Sequence, residues 1–243
     1  MLTCKADIIA NLQKELQSLQ GIRPALDNAV LNDKLGPLKN AFPNRSFPLG
    51  AVHELISVNA EEKAVGSGFL AAVVSSLMQK NGVSIWISLN KQWFPPAFQA
   101  FGIAAEKIIF IQPSKEKELA WITEEALSCE AVCAVVAEMK DMNFTASRRL
   151  QLAVEKSKTT GFMIRTDPKQ VQATASMARW RVTSLPGIAL NNLPGVGFPA
   201  WNVELLKARN AKPTSWQVEF SAGRFKQLKK ITAIHSIHQK KTG

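Results

Sequence analysis

Between residues 49 and 165, short β-rich apolar runs alternate with helical segments that are apolar on one side. Strands are predicted at 51–56, 83–89, 107–112, 131–137 and 161–165, and helices at 66–80, 115–127 and 145–156. Residues 131–137 are apolar throughout, which is typical of a parallel strand buried on both faces. Strands separated by helices of this length indicate βαβ units, so we expect an α/β fold whose mainly parallel sheet is flanked by helices.

The helical pattern stops after residue 175, and strand-like runs follow one another directly. One strand is predicted at 179–184. Beyond it, apolar and polar residues alternate around Trp201 and again around Trp216, and the two runs are separated by the polar turn 210–215. This pattern predicts a C-terminal antiparallel hairpin at the edge of the sheet.

Composition shifts divide the chain into three predicted parts. Residues 1–46 combine an amphipathic helix at 5–19 with a connector rich in Asn, Asp, Pro and Gly. Residues 47–222 form the α/β core, and residues 223–243 form a basic tail. No run approaches about 18 uninterrupted apolar residues, so a membrane is not an expected partner. Because the first thirty residues lack the apolar stretch of a signal peptide, we expect a cytoplasmic protein.

Nearly all of the net charge of +11 lies in the last third of the chain. Residues 1–168 carry 18 Lys and Arg and 17 acidic residues. Residues 169–243 carry 12 Lys and Arg and only two acidic residues. Such a region attracts DNA or an acidic protein surface, although a merely solvated tail has the same composition. The candidate DNA or partner contacts in this third are Lys207, Arg209, Lys212, Arg224, Lys226, Lys229 and Lys230.

Tryptophans in this third offer a second kind of contact. Trp180, Trp201 and Trp216 would stack on bases if they were exposed. Trp201 and Trp216 share the apolar phase of their strands, however, so packing in the core is the better prediction for these two.

The segment after the first strand is where an α/β nucleotide-binding protein places its phosphate loop. Here residues 57–68 read SVNAEEKAVGSG, and no GxxxxGK[ST] motif is present. The segment therefore predicts a degenerate loop, in which two carboxylates would repel a triphosphate. Its residues are Glu61, Glu62, Lys63, Gly66, Ser67 and Gly68.

The groups that would activate water for ATP hydrolysis are also missing from the pattern. No acidic residue lies between Glu62 and Glu106, so the second strand ends without a base. Glu138 follows the central strand, where a metal-binding acid would stand, but a structural carboxylate is the better prediction. We therefore expect an ATPase-shaped domain with no catalytic residues, no cofactor and no metal.

Several segments, in order along residues 45–222, resemble the ImuA family of bacterial error-prone repair proteins. The segments are FPLGAVHEL (47–55), WFPPAFQAFGI (93–103), TASRRLQLAVE (145–155), ARWRV (178–182), WNVELLKARNAKP (201–213) and SWQVEF (215–220). The resemblance implies a RecA-like core, because the family is similar in fold to RecA and to the SulA division inhibitors. Its members usually lack a working phosphate loop. The turn of the hairpin departs from the family pattern, since Ala211 and Thr214 stand where glycines are usual.

The same resemblance implies a function in SOS-induced translesion synthesis. The implied partners are an ImuB-type polymerase-like protein, a C-family polymerase and RecA, with Arg148 and Arg149 as further candidate contacts. Two alternatives remain open from the sequence. One is a RecA-like ATPase or recombination mediator with an unorthodox loop, and the other is a SulA-like inhibitor of cell division.

Overall fold

The computed structural model describes residues 29–42, 45–78, 82–90, 93–166, 172–187 and 197–228. In these ranges the strands are β1 (Val52–Ser57), β2 (Val83–Ile87), β3 (Ile108–Ile111), β4 (Val132–Met139), β5 (Thr160–Thr166), β6 (Ala178–Leu185), β7 (Ala200–Ala208), β8 (Thr214–Ser221) and β9 (Arg224–Gln227). The helices are α1 (Ala29–Leu35), α2 (Ala60–Leu77), α3 (Glu116–Ser128) and α4 (Phe144–Ser157), with 3₁₀ segments at Gly36–Ala41, Pro95–Phe101 and Ala105–Lys107. The predicted helix at 5–19 lies outside the described residues.

All nine strands belong to one sheet, in the order β3-β2-β4-β5-β1-β6-β7-β8-β9. Neighbouring strands from β3 to β6 run parallel, and those from β6 to β9 run antiparallel. This arrangement confirms the predicted α/β class with antiparallel strands at the edge of a mostly parallel sheet. Strand β9, which was not predicted, adds one more antiparallel strand at that edge.

Two helical layers cover the parallel part of the sheet. On one face, α1, α2 and the 3₁₀ segments pack in a core with the strand side chains. On the other face, α3 and α4 pack against a second core. β4 lies between β2 and β5, and Val135 and Val136 are fully buried on its two faces, which explains its continuous apolar sequence. None of the helices within the described ranges is long and apolar enough to cross a bilayer.

The core extends beyond the limits predicted from composition at both ends. Leu35 and Leu38, in the segment predicted as a connector, are fully buried in the first core. Phe225 of β9 is 2% exposed and packs in the same core, beyond residue 222. Single apolar residues inside polar segments carry no periodicity, and so the sequence does not reveal that they are buried.

A buried charge cluster joins three strands of the parallel sheet. Glu54 of β1 is fully buried, and its Oε2 lies 3.5 Å from Arg165 Nη1 of β5 and 3.2 Å from Arg179 Nη2 of β6. Arg165 is itself buried and donates to the carbonyls of Lys140 and Met142. Desolvation lowers the pKa of the Arg165 guanidinium from its ordinary value, although Glu54 opposes that shift. Glu54 is therefore the carboxylate that compensates the buried charge of Arg165 most strongly, with a weaker contribution from Asp141.

Replacing Glu54→Ala should reduce the free energy of unfolding by about 3 to 5 kcal/mol, because Arg165 keeps its charge without the buried partner. The matched control is Arg149→Ala, which removes an ion pair whose Arg149 side chain is 64% exposed. That control should cost no more than about 1 kcal/mol. Urea denaturation measures both. Equal losses in the two variants would contradict the assigned role of the buried cluster.

Candidate functional site

The connection from β1 to α2 contains only Val58 and Asn59. Asn59 caps the helix, since its Oδ1 accepts a hydrogen bond of 2.7 Å from the Glu62 N–H. The chain is helical from residue 60 onward, so the predicted loop over 57–68 is wrong in that part, and the helix predicted at 66–80 begins six residues earlier than expected. The glycines at 66 and 68 suggested a loop, but the cap and the packing of α2 on the sheet outweigh their low helix propensity.

Glu62 turns its carboxylate back over the N-terminus of α2. Its Oε2 accepts a hydrogen bond of 3.1 Å from the Val58 N–H, and its Oε1 lies 2.6 Å from Arg181 Nη2 of β6. Burial acts to raise the pKa of the Glu62 carboxyl, but the hydrogen bonds from Arg181 and Val58 outweigh it and lower that pKa below its ordinary 4.5. A protein carboxylate thus stands where the N–H groups of a helix start would receive a phosphate.

Lys63 stands in the position that a phosphate-binding lysine takes after a strand. Residues 57–64 read SVNAEEKA, so Lys63 has the place of the lysine in the GxxxxGK[ST] spacing, although the motif itself is absent. Ser57 and Glu62 replace the two motif glycines, and Ala64 replaces the hydroxyl residue that would hold Mg²⁺. The structure makes this register visible because it places Lys63 in the first turn of α2.

Glu138, near the end of β4, faces this lysine. Its Oε2 lies 3.5 Å from Lys63 Nζ and accepts a hydrogen bond of 2.8 Å from Ser88 Oγ, just after β2. The Glu138 side chain is only 7% exposed. The acid that would bind a metal in an ATPase is here bound to a lysine and a serine of the same chain.

The small residues of α2 have packing roles. A Cβ on Gly66 would lie 2.5 Å from Leu55 Cδ2, so this glycine lets α2 approach β1 closely. A Cβ on Gly68 would meet Phe101 at 3.6 Å, an ordinary contact distance. Ser67 Oγ donates to the Lys63 carbonyl within the helix. Glu61 is exposed, and its Oε1 accepts a hydrogen bond from Ser184 Oγ.

The candidate basic contacts lie in three separate places. Lys207, Arg209 and Lys212 lie at the β7–β8 turn, near the start of β6. Arg224 and Lys226 lie on β9, where Arg224 Nη1 is 3.6 Å from Asp33 Oδ2. Arg148 and Arg149 lie on α4, where Arg149 forms a bidentate pair with Glu124 of α3. Lys229 and Lys230 fall outside the described residues.

The three tryptophans considered for base stacking are all packed inside the protein. Trp201 and Trp216 are 5% and 8% exposed, as their phase in the strands indicates. Trp180 is 4% exposed and stacks on Phe47, and its Nε1 donates to His53 Nδ1. These rings stabilise the core, so they offer no stacking surface to a nucleic acid.

One feature that the sequence did not reveal is an aromatic cleft of about 440 Å³. It lies between the first half of α2 and the 3₁₀ segment Pro95–Phe101, with Lys63 and Glu138 at its polar end. Trp93, Phe94, Phe98 and Phe101 supply its aromatic lining. These four residues all belong to the segment WFPPAFQAFGI, whose aromatic spacing was the available signal.

Comparison with known proteins identifies relatives that align with about three quarters of the chain. No family model matches the chain. The chain is 31% identical over 191 residues to "Protein ImuA" of Caulobacter vibrioides strain NA1000 / CB15N, which covers 74% of this chain and 78% of that protein. The protein of the same name from strain ATCC 19089 / CIP 103742 / CB 15 matches equally well.

Among solved structures, SulA from Pseudomonas aeruginosa aligns with a TM-score of 0.41 and 17% identity. The alignment covers 47% of this chain and 97% of that one.

A pair of glycine variants tests the packing roles in α2. Gly66→Ala should be less stable than Gly68→Ala by about 1 to 3 kcal/mol, because only the first methyl group overlaps the buried Leu55. Gly68→Ala should be as stable as the parent protein or slightly more stable, since alanine has a higher helix propensity than glycine. Thermal and urea unfolding measure both. Equal stability of the two variants would show that Gly66 is not needed for close packing.

The stabilisation from Glu62 should depend on pH. Because folding lowers the pKa of its carboxyl below 4.5, that stabilisation is complete above pH 4.5 and is lost as the pH falls through the folded-state pKa. Glu62→Gln keeps the acceptor but not the charge, so it should cost about 1 kcal/mol at neutral pH. Urea unfolding from neutral pH to about pH 3 should show the two proteins converging. A difference that is independent of pH would contradict the ion pair.

Proposed function

The chain belongs to the ImuA family, and from this membership we propose that it acts in SOS-induced error-prone DNA repair as a non-catalytic adaptor. Its proposed partners are an ImuB-type polymerase-like protein, a C-family polymerase and RecA. DNA is a further candidate ligand for the basic C-terminal third. The proposed role is to hold these components together during translesion synthesis.

The observation that supports a non-catalytic role is the occupied N-terminus of α2. Glu62 accepts the Val58 N–H and pairs with Arg181, so the protein's own carboxylate takes the place of a phosphate. Ala64 offers no hydroxyl for Mg²⁺, and Glu138 is bound to Lys63 and Ser88. Each of the three groups that a phosphate-loop ATPase needs is thus replaced or engaged.

An adaptor needs a surface that partners can cover, and the outer face of α3 and α4 has the required composition. Trp121, Phe144 and Leu152 are 62%, 58% and 44% exposed there. Arg148 lies one turn from both Phe144 and Leu152, and it forms no ion pair with any residue in the described ranges. Exposed aromatic residues beside an arginine are typical of protein interfaces. We therefore assign the face formed by these four residues to an acidic, apolar partner surface.

Damage-induced mutation frequency tests the proposed function. Deleting the gene should reduce that frequency to the level of undamaged cells, and the parent gene should restore it. The variant Trp121→Ala with Arg148→Glu should fail to restore it, because the interface loses its aromatic anchor and reverses its charge. Lys115→Glu, an exposed charge reversal at the start of α3 that lies outside both this face and the basic C-terminal third, is the matched control and should restore it. Lys226→Glu tests the candidate DNA contact on β9 separately.

Two outcomes would contradict parts of this proposal. Normal mutation frequency in the deletion strain would exclude the repair function. Full restoration by the Trp121/Arg148 variant, with loss in the Lys226 variant, would move the interface to the β9 edge. A chain ending at residue 228 leaves the sheet complete through β9, so its failure to restore mutagenesis would assign a role to residues 229–243, which include the candidate contacts Lys229 and Lys230.

A further inference from the structure

Two residues that line the aromatic cleft beside α2, Glu138 and Trp93, each carry a buried polar atom without a hydrogen-bond partner in the described part of the chain. Glu138 Oε2 is bonded to Ser88 and Lys63, but Oε1 of the same buried carboxylate has no partner among the described residues. Trp93 Nε1 is also buried and lacks an acceptor in that part of the chain. Leaving such groups unpaired is costly, so both favour a ligand that supplies the missing partners.

The walls of the cleft are apolar and partly open. Phe98 is buried against Trp86 and Phe110, which fixes the floor. Phe94 at the rim is 67% exposed, and Ala64 of α2 is also exposed. An apolar group entering between them would bury this surface and gain the corresponding hydrophobic free energy.

The charge around Glu138 restricts what the donor can be. Lys63 Nζ already lies 3.5 Å from the carboxylate and offsets its charge, so a second cation would gain little net attraction there. A neutral N–H needs no such attraction, and a backbone amide also brings a carbonyl for Trp93. A phosphate-bearing ligand is disfavoured because Glu61 and Glu62 lie one helical turn or less from Lys63.

We propose that this cleft binds a peptide segment of a partner protein, with one aromatic or large aliphatic side chain seated among Phe94, Phe98 and Phe101. A backbone N–H of that peptide donates to Glu138 Oε1, and a backbone carbonyl accepts from Trp93 Nε1. The site is separate from the outer face of α3 and α4, because α2 and α3 lie on opposite faces of the sheet. This inference rests on the proposed adaptor function, because a partner chain would supply the peptide.

The test uses the full-length ¹⁵N-labelled protein and the tripeptide acetyl-Gly-Phe-Gly-amide as the probe. The indole N–H signal of Trp93 is identified by its absence in Trp93→Phe. On titration to millimolar peptide, that signal should move downfield and saturate, because Nε1 gains an acceptor. The probe methylated on the phenylalanine nitrogen should bind about tenfold more weakly, since it cannot donate to Glu138.

Three protein variants test where the peptide binds. Ala64→Trp should abolish the shift by filling the cleft from an exposed helix position. Ala131→Trp, exposed just before β4 at the opposite end of the sheet, is the matched control and should bind like the parent. Phe94→Ala, also exposed, should weaken binding without filling the cleft. This variant keeps the test valid if Ala64→Trp does not fold.

The proposal fails if the tripeptide leaves the Trp93 signal unchanged, or if the methylated probe binds as tightly as the parent probe. It also fails if adenosine moves that signal while the peptide does not, because the cleft would then be a nucleobase site. These titrations do not depend on cell phenotype. The titration can fail while the mutation-frequency assay supports the adaptor role, and it can succeed while that assay contradicts the role. The cleft and the adaptor role are therefore tested separately.

Discussion

The carboxylate of Glu62, paired with Arg181 of β6, lies over the start of α2. The proposed non-catalytic function depends on this interaction. A helix that follows a parallel strand presents its free N–H groups at the sheet edge where nucleotides bind. Here Asn59 and Glu62 accept hydrogen bonds from the Glu62 and Val58 N–H groups, and Arg181 neutralises the added charge. A phosphate would have to displace a paired carboxylate and then tolerate its charge. The same bonds also fix the short β1–α2 connection, so the carboxylate that we propose as a block to phosphate binding is part of the folded framework.

We propose that this edge is closed to phosphates, which leaves its neighbouring groups for other contacts. Lys63 and Glu138 pair with each other, and their pairing forms the polar end of an aromatic cleft. On the opposite face of the sheet, Trp121 and Arg148 lie exposed on α3 and α4. We propose that this α/β domain thus presents two separate surfaces for protein contacts. This combination agrees with membership of a family of error-prone repair proteins, in which an adaptor would need more than one partner surface.

The parallel sheet could be predicted because its strands are buried on both faces, and burial leaves a continuous apolar run such as residues 132–137. The antiparallel hairpin could be predicted because one-sided burial produces strict alternation around Trp201 and Trp216. The site was harder to predict. Glycines at 66 and 68 suggested a loop, although Gly66 serves close packing on Leu55. The role of Glu62 depends on Arg181, which is 119 residues away in the chain, and no local pattern records such a pair.

Equilibrium titration of labelled ATP with Mg²⁺, on the parent protein and on Glu62→Gly, tests the central claim most directly. The parent should show no saturable binding up to millimolar nucleotide. Glycine at position 62 restores one residue of the motif spacing and releases the helix N-terminus, so any nucleotide affinity should emerge only in the variant. Saturable binding by the parent at micromolar ATP would contradict the claim, because it would show that the carboxylate does not close the site.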